Sequence, residues 1–429
     1  MPVRLDIRDA DFDERFQHLL GMKRETDPDL NDAVAEIIAS VRGRGDEALF
    51  DYTRRFDRFE IDASSVRITA DEIEAGYKAC ATDTLEALSE AHERITAFHA
   101  RQLPEDLRYT DEAGVSLGYR WTAVEAAGLY VPGGLAAYPS SLLMNAVPAR
   151  VAGVERVMMC VPTPDNTLNP LVLAAAKICG ITEMYRVGGA QAVAAMAYGT
   201  DSIASVNKIV GPGNAYVAAA KRQVFGQVGI DSIAGPSEIL VLADAGNDPA
   251  WIAADLLSQA EHDPVAQAIL ITNDHEFAGA VEAAVDGHLQ KLAKSDIASA
   301  SWRDFGAIIV LDHLDQAMAL IDALAPEHLE IATENAEEMA AQVRNAGAIF
   351  IGRHTPEAIG DYVAGPNHVL PTARSARFSS GLGVLDFMKR TSLIQCDGDS
   401  LRRIGPAAIK LAEAEGLDAH ALSVSIRLN

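Results

Sequence analysis

Apolar residues at Leu30, Val34, Ile37, Ile38 and Val41 recur every three to four positions. That spacing puts them on one side of an α-helix and predicts a helix over 27–44. A second run of the same period predicts one long helical stretch over 71–102. Charges of both signs are mixed through residues 1 to about 105, which marks solvated helix faces rather than an interaction tail. From Ala123 the texture changes. Short apolar runs bounded by glycine predict strands within 125–134 and at 157–161, 183–187 and 208–210. Helical periods between them predict helices from Leu142 to Val151 (capped by Ser140 or Ser141), over 169–179 and 191–198, and from Asn214 through Phe225. A second series opens at Glu238–Ala243 and continues with strands at 268–272, 306–311, 329–333 and 347–352. Strands alternating with helices of this length imply mostly parallel sheets covered on both faces.

The predicted fold is therefore α/β, with two doubly wound, incomplete Rossmann-like domains and smaller helical segments at each end. Residues 1–122 form the helical N-terminal segment, 123–236 and 237–382 the two domains, and 383–429 a helical tail with its clearest helix over 406–415. The tail is too short to fold alone and is expected to pack on another domain or subunit. The facing edges of two such domains make a cleft, the usual ligand position. A length of 429 residues supports two domains, because it exceeds what one hydrophobic core serves. A net charge of -25 sets nucleic acid and anionic membranes aside as partners, since both would be repelled. No window is apolar over a length that spans a bilayer, and the N-terminus lacks the apolar run of a signal peptide, so a cytoplasmic protein is expected. Cys80, Cys160, Cys179 and Cys396 are scattered and read as reduced thiols, mostly small core residues.

Candidate chemistry concentrates in the second series. A helix is expected with Asp248 as N-cap and Pro249 in its first position, burying Ile252, Leu256 and Leu257. Gln259 and His262 leave one face of it near an end set by Pro264, either as solvated capping groups or as two arms of a metal site. Pro326-Glu327-His328 sets a carboxylate beside an imidazole just before a strand, either a surface pair or an acid–base couple with separable pKa values. Thr355-Pro-Glu-Ala-Ile-Gly-Asp361 reads as a capped short helix, and Gly365-Pro-Asn-His368 as a rigid turn presenting His368. Glu415-Gly-Leu-Asp-Ala-His420 adds a carboxylate and an imidazole in the tail. Gln259, His262, Asp361 and His420 make a sulfur-free N/O set suited to zinc or a neighbouring divalent ion, although spacing alone does not bring them together. In the first series Pro132-Gly-Gly134, Gly188-Gly189 and Gly211-Pro-Gly213 each precede a helix, as plain tight turns or as turns that cradle phosphate. None fits GxGxxG. Tyr130, Gln191 and Asn214 stand beside these turns, placed either to bond a nucleotide or to cap.

From about residue 30 to its end the chain resembles the histidinol dehydrogenase family. The resemblance rests on Gly128-Leu-Tyr-Val-Pro-Gly-Gly134, Val187-Gly-Gly-Ala-Gln191, Lys208-Ile-Val-Gly-Pro-Gly-Asn-Ala-Tyr-Val217 and Ile233-Ala-Gly-Pro-Ser-Glu238. It continues through Ser258-Gln-Ala-Glu-His-Asp263, Glu327-His-Leu-Glu330, Gly365-Pro-Asn-His-Val-Leu-Pro-Thr372, Phe378-Ser-Ser-Gly-Leu382 and Glu415-Gly-Leu-Asp-Ala-His420. It implies an enzyme of histidine biosynthesis that oxidises L-histidinol to L-histidine with two NAD in succession, through a bound aldehyde. It also implies one Zn²⁺ per subunit on Gln259, His262, Asp361 and His420, the last supplied across a homodimer with shared active sites. By the same resemblance His328 is the general base and Glu327 activates water on the aldehyde. Ser237, His368 and Glu415 join the metal ligands and the catalytic pair around the substrate, and Tyr130, Gln191 and Asn214 contact NAD. Three rivals share some of these features. A relative acting on another amino alcohol differs in its yield of NADH, a zinc hydrolase gives the glycine turns no task, and a two-lobed periplasmic binding protein calls for a signal peptide.

Overall fold

A computed structural model describes residues 1–22, 28–133, 138–233 and 235–428. Asp27, the expected start of the first helix, and Gly134 of the first glycine turn lie outside the described residues. Among the described residues the strands form three sheets, of five, six and three strands. The five-stranded sheet runs Glu183–Tyr185, Arg156–Cys160, Ala126–Tyr130, Lys208–Val210, Gly229–Ile230, all parallel. The six-stranded sheet runs Val3–Asp6, Ala307–Val310, Gln267–Thr272, Glu238–Ala243, His328–Ala332, Ala348–Ile351, again all parallel. The central strands are buried along their whole length because helices cover both faces, which is why their sequences are continuously apolar instead of alternating.

Each parallel sheet is sandwiched between two apolar layers. Helices Pro139–Val151 and Pro170–Ile178 cover one face of the first sheet, and Gly189–Tyr198, Ala215–Val224 and the N-terminal Pro28–Arg44 cover the other. Pro249–Ala260 and His275–Leu289 cover one face of the second sheet, with Phe12–Gly21 and Ala317–Leu324 on the other. The α/β class and the parallel order are those expected.

Several elements depart from expectation, each for a local reason. The single helix expected over 71–102 is two, Ala70–Ala79 and Thr82–Ala100, because Cys80 and Ala81 between them are extended (ψ 147 and 145). Residues read as a helical beginning open instead with Val3–Asp6, which pairs with the distant Ala307–Val310. The tail opens with the strand Met388–Gln395, paired antiparallel to Ser116–Ala123; exposed residues dominate it, so it leaves no apolar pattern to read. Ser140 and Ser141 lie inside their helix, which starts at Pro139. Thr355 caps nothing; its hydroxyl donates back to the Ile351 carbonyl. Cys160 and Cys179 are buried as expected, whereas Cys396 is exposed. No helix among the described residues is long and apolar enough to cross a membrane.

In both parallel sheets the strand order reverses at the centre, and ligands in such sheets usually sit at the carboxyl ends beside that reversal. The first sheet obeys: Ala126–Tyr130 and Lys208–Val210 run into the Pro132 and Gly211 turns. The second inverts the rule, because Ser237, Glu327 and His328 stand at the amino ends of Glu238–Ala243 and His328–Ala332. Carboxyl ends of one sheet and amino ends of the other line one cavity of about 400 Å³.

Candidate active site where the two sheets meet

The helix Pro249–Ala260 forms as expected: Asp248 Oδ1 accepts from Ala250 N at 2.8 Å and Pro249 fills the first position. It ends at Ala260, short of Pro264, so Gln259 lies in its last turn and His262 just beyond. Gln259 is buried and donates Nε2 to Glu357 Oε1 at 2.6 Å, which fixes the amide so that its oxygen is left to accept or ligate. His262 Nδ1 lies 2.9 Å from the Ser258 carbonyl. A carbonyl only accepts, so this nitrogen carries the proton and the lone pair stays on Nε2.

The same logic sets the Glu327–His328 pair. Glu238, first residue of its strand, gives its N–H to Glu327 Oε2 at 2.9 Å and takes the Nδ1 proton of His328 on its carbonyl at 3.0 Å. Both side chains are buried. Burial pushes the His328 imidazole down to about 4, so the ring is neutral near pH 7 with an unpartnered, buried Nε2. Burial pushes Glu327 well above the ordinary carboxyl range; the Glu238 N–H opposes that shift, and the charges of Glu238, Asp361 and Glu357 add to it. His368 repeats the pattern, with Nδ1 3.0 Å from the Asp361 carbonyl, Nε2 3.4 Å from Ser141 Oγ and a pKa pushed down by burial to about 4.

Glu357 was not singled out from the sequence. It sits four residues before Asp361 on the short helix Glu357–Tyr362, hence on the same face. Its carboxylate accepts from Gln259 and from Ser258 Oγ, the latter at 2.9 Å, and lies 3.6 Å from His328 Nε2. His328, Glu357 and Asp361 offer ligand atoms within 4.8 Å of one another. Burial raises the pKa of both carboxyls, and Asp361 raises Glu357 further.

The cavity between the sheets is lined by Ser237, Gln259, His262, Glu327, His328, Asp361 and His368, together with the Gly211–Asn214 turn. Seven of the residues proposed from sequence thus meet in one place. Glu415 and His420 do not: both are exposed on the tail, and neither lines this cavity within one chain. Gln259, His262 and Asp361 bring an amide oxygen, an imidazole and a carboxylate to the lining of one cavity, beside buried acids that repel one another, and these are donors that a divalent cation accepts.

A second cavity of about 630 Å³ opens on the first sheet and is lined by Tyr130, Gln191 and Asn214. Pro132, Gly213 and Asn214 line both cavities, so the two abut. Tyr130 and Asn214 also serve the turns themselves. The Tyr130 hydroxyl accepts from Gly189 N at 3.0 Å, and Asn214 Oδ1 caps helix Ala215–Val224 through Val217 N at 3.2 Å. Two of the glycines are required by packing: a Cβ on Gly133 or Gly188 would lie 2.3 Å from Pro162. The Oε1 of Gln191 is buried without a partner, the kind of acceptor a bound cofactor amide or hydroxyl would satisfy.

A profile of the histidinol dehydrogenase family matches residues 21–428. The chain is 64% identical to the histidinol dehydrogenase of Rhodospirillum rubrum, covering 100% of this chain and 99% of that one. It is 63% identical to the histidinol dehydrogenase of Bradyrhizobium diazoefficiens, with 100% of both chains covered. The crystal structure of histidinol dehydrogenase from Elizabethkingia anophelis superposes with a TM-score of 0.94 at 35% identity, over 100% of this chain and 98% of that one. With its two sheets, the buried carboxylate–imidazole pair between them and these relatives spanning its length, the chain belongs to the histidinol dehydrogenase family of oxidoreductases.

Proposed function

We propose that the protein oxidises L-histidinol to L-histidine in two NAD-dependent steps, with the substrate in the cavity between the sheets and the cofactor in the cavity on the first sheet. The observation that supports this reading best is that the two cavities abut along Pro132, Gly213 and Asn214 while His328 presents a free Nε2 to the first of them. In the first step His328 Nε2 takes the hydroxyl proton as hydride leaves the carbinol carbon. The Glu238 carbonyl holds the Nδ1 proton and so keeps the ring in the tautomer that can accept. In the second step Glu327 takes a proton from water attacking the aldehyde carbon while His328 returns its proton to the carbonyl oxygen, so the neutral ring can accept again as hydride leaves the hydrate. NAD, when bound, supplies hydride acceptance in both steps, with Tyr130, Gln191 and Asn214 as its contacts. A Zn²⁺ on Gln259, His262, Asp361 and His420 of the partner subunit would anchor the imidazole and amine of the substrate. Ser237, His368 and Glu415 complete the substrate's surroundings, in a cytoplasmic homodimer.

The test is stoichiometric. L-histidinol and excess NAD should give two NADH per substrate consumed, a chelator should stop the reaction, and Zn²⁺ should restore it. A yield of one would mark an alcohol dehydrogenase that stops at the aldehyde. Turnover without NAD would refute the reading outright.

A further inference from the structure

Gly213 and Asn214, which with Pro132 line both cavities, belong to the turn Gly211-Pro-Gly-Asn214, and a buried ion pair grips that turn at Gly211. Asp231 Oδ2 accepts from Gly211 N at 2.8 Å, and Lys221 Nζ donates to the Gly211 carbonyl at 2.9 Å. Lys221 Nζ is also ion-paired with the other Asp231 oxygen. One charged pair thus holds both backbone polar groups of one residue. Gly211 has φ 117, and a Cβ there would lie 2.1 Å from the Tyr130 carbonyl, so the turn is pressed against a residue that lines the cofactor cavity. Lys221 comes from the helix that Asn214 caps, and Asp231 follows the edge strand Gly229–Ile230, so the pair ties three elements together.

The side chains are 2% and 3% exposed. Taking both charges out of water costs about as much as their attraction returns, so the ion pair itself adds little to stability. What an apolar pair cannot supply is a donor and an acceptor fixed on the Gly211 backbone. We infer that Lys221 and Asp231 are positioning residues for hydride transfer, holding the Gly211–Asn214 turn so that cofactor and substrate meet at a fixed distance. The inference rests on the two-cavity reading above.

The experiment is Lys221→Met combined with Asp231→Leu, which removes both charges so that neither is left buried alone. A lowered melting temperature is expected, because the Gly211 N–H and carbonyl lose their partners, so the kinetics are read at a temperature where the variant is folded. KM for NAD should rise about tenfold or more and kcat of both half-reactions should fall by a similar factor, because both use the same cofactor pose. Binding of L-histidinol without NAD, by calorimetry, should stay within about threefold of wild type. NAD parameters within about threefold of wild type in the folded variant would overturn the inference, as would a parallel loss of L-histidinol binding. Should the double variant not fold, Lys221→Gln is read by the same split, and unchanged kinetics there overturn the inference equally. Wild-type protein that makes no NADH from L-histidinol would refute the two-cavity reading itself. Wild-type turnover beside an unaffected variant refutes the positioning role alone.

Discussion

His262, His328 and His368 each give an Nδ1 proton to a backbone carbonyl, and that is what makes three rings on three elements chemically alike. Each Nε2 is thereby left as the acceptor of its ring. The roles diverge only through neighbours, and two substitutions separate them. His328→Asn should lower both half-reactions by roughly a hundredfold or more, whereas Glu327→Gln should do so only for aldehyde oxidation, measured with L-histidinal as substrate. Equal losses in Glu327→Gln would contradict the division of labour. Glu357 acts through Gln259, whose amide it orients. Glu357→Ala should therefore weaken Zn²⁺ binding about tenfold to a hundredfold, read by competition with a chromogenic chelator. Gln259, His262, Glu327 and His328 were legible in the sequence because each pair is local. Glu357 was not, since a carboxylate on a short helix looks like any surface acid until Gln259, nearly a hundred residues away, is brought to it.

Alternation along the strand His328–Ala332 sends Leu329 and Ile331 to one apolar layer and His328 and Glu330 to the opposite side. Glu330 is thereby buried beside Asp255, and burial together with that neighbouring carboxyl raises its pKa above the ordinary value of 4.5. A raised carboxyl keeps its proton in the fold but loses it in the unfolded chain. Its contribution to stability is complete below the ordinary pKa and is lost as pH rises through the folded value. Glu330→Gln cannot titrate, so its melting temperature relative to wild type should improve steadily from about pH 5.5 to about pH 8.5. A constant difference across that range would show that Glu330 is ionised in the fold. The strand Glu238–Ala243 and the start of helix Pro249–Ala260 were legible to the residue, whereas the end of that helix falls at Ala260 instead of beside Pro264. Val3–Asp6 and Met388–Gln395 were not legible, because their partners lie far along the chain and supply the hydrogen bonds that define them.

The two sheets meet with opposite ends forward, an arrangement that fold rules applied to each half separately could not give. Glu415 and His420 are exposed on the tail, among exposed Leu411, Leu417, Leu422 and Ile426. An apolar surface of this kind marks an interface, and a homodimer would carry both polar residues into the neighbouring site. Mixing His262→Asn chains with His420→Asn chains should regain about a quarter of wild-type activity after full exchange, because half of the dimers are mixed and each has one intact site. No recovery after verified exchange would place His420 outside the partner's site. The abutting cavities carry a last implication. On the proposed reading a spent nicotinamide would depart through its own chamber while the half-oxidised carbon compound keeps its berth, so an aldehyde scavenger such as semicarbazide, present throughout turnover, should collect almost nothing.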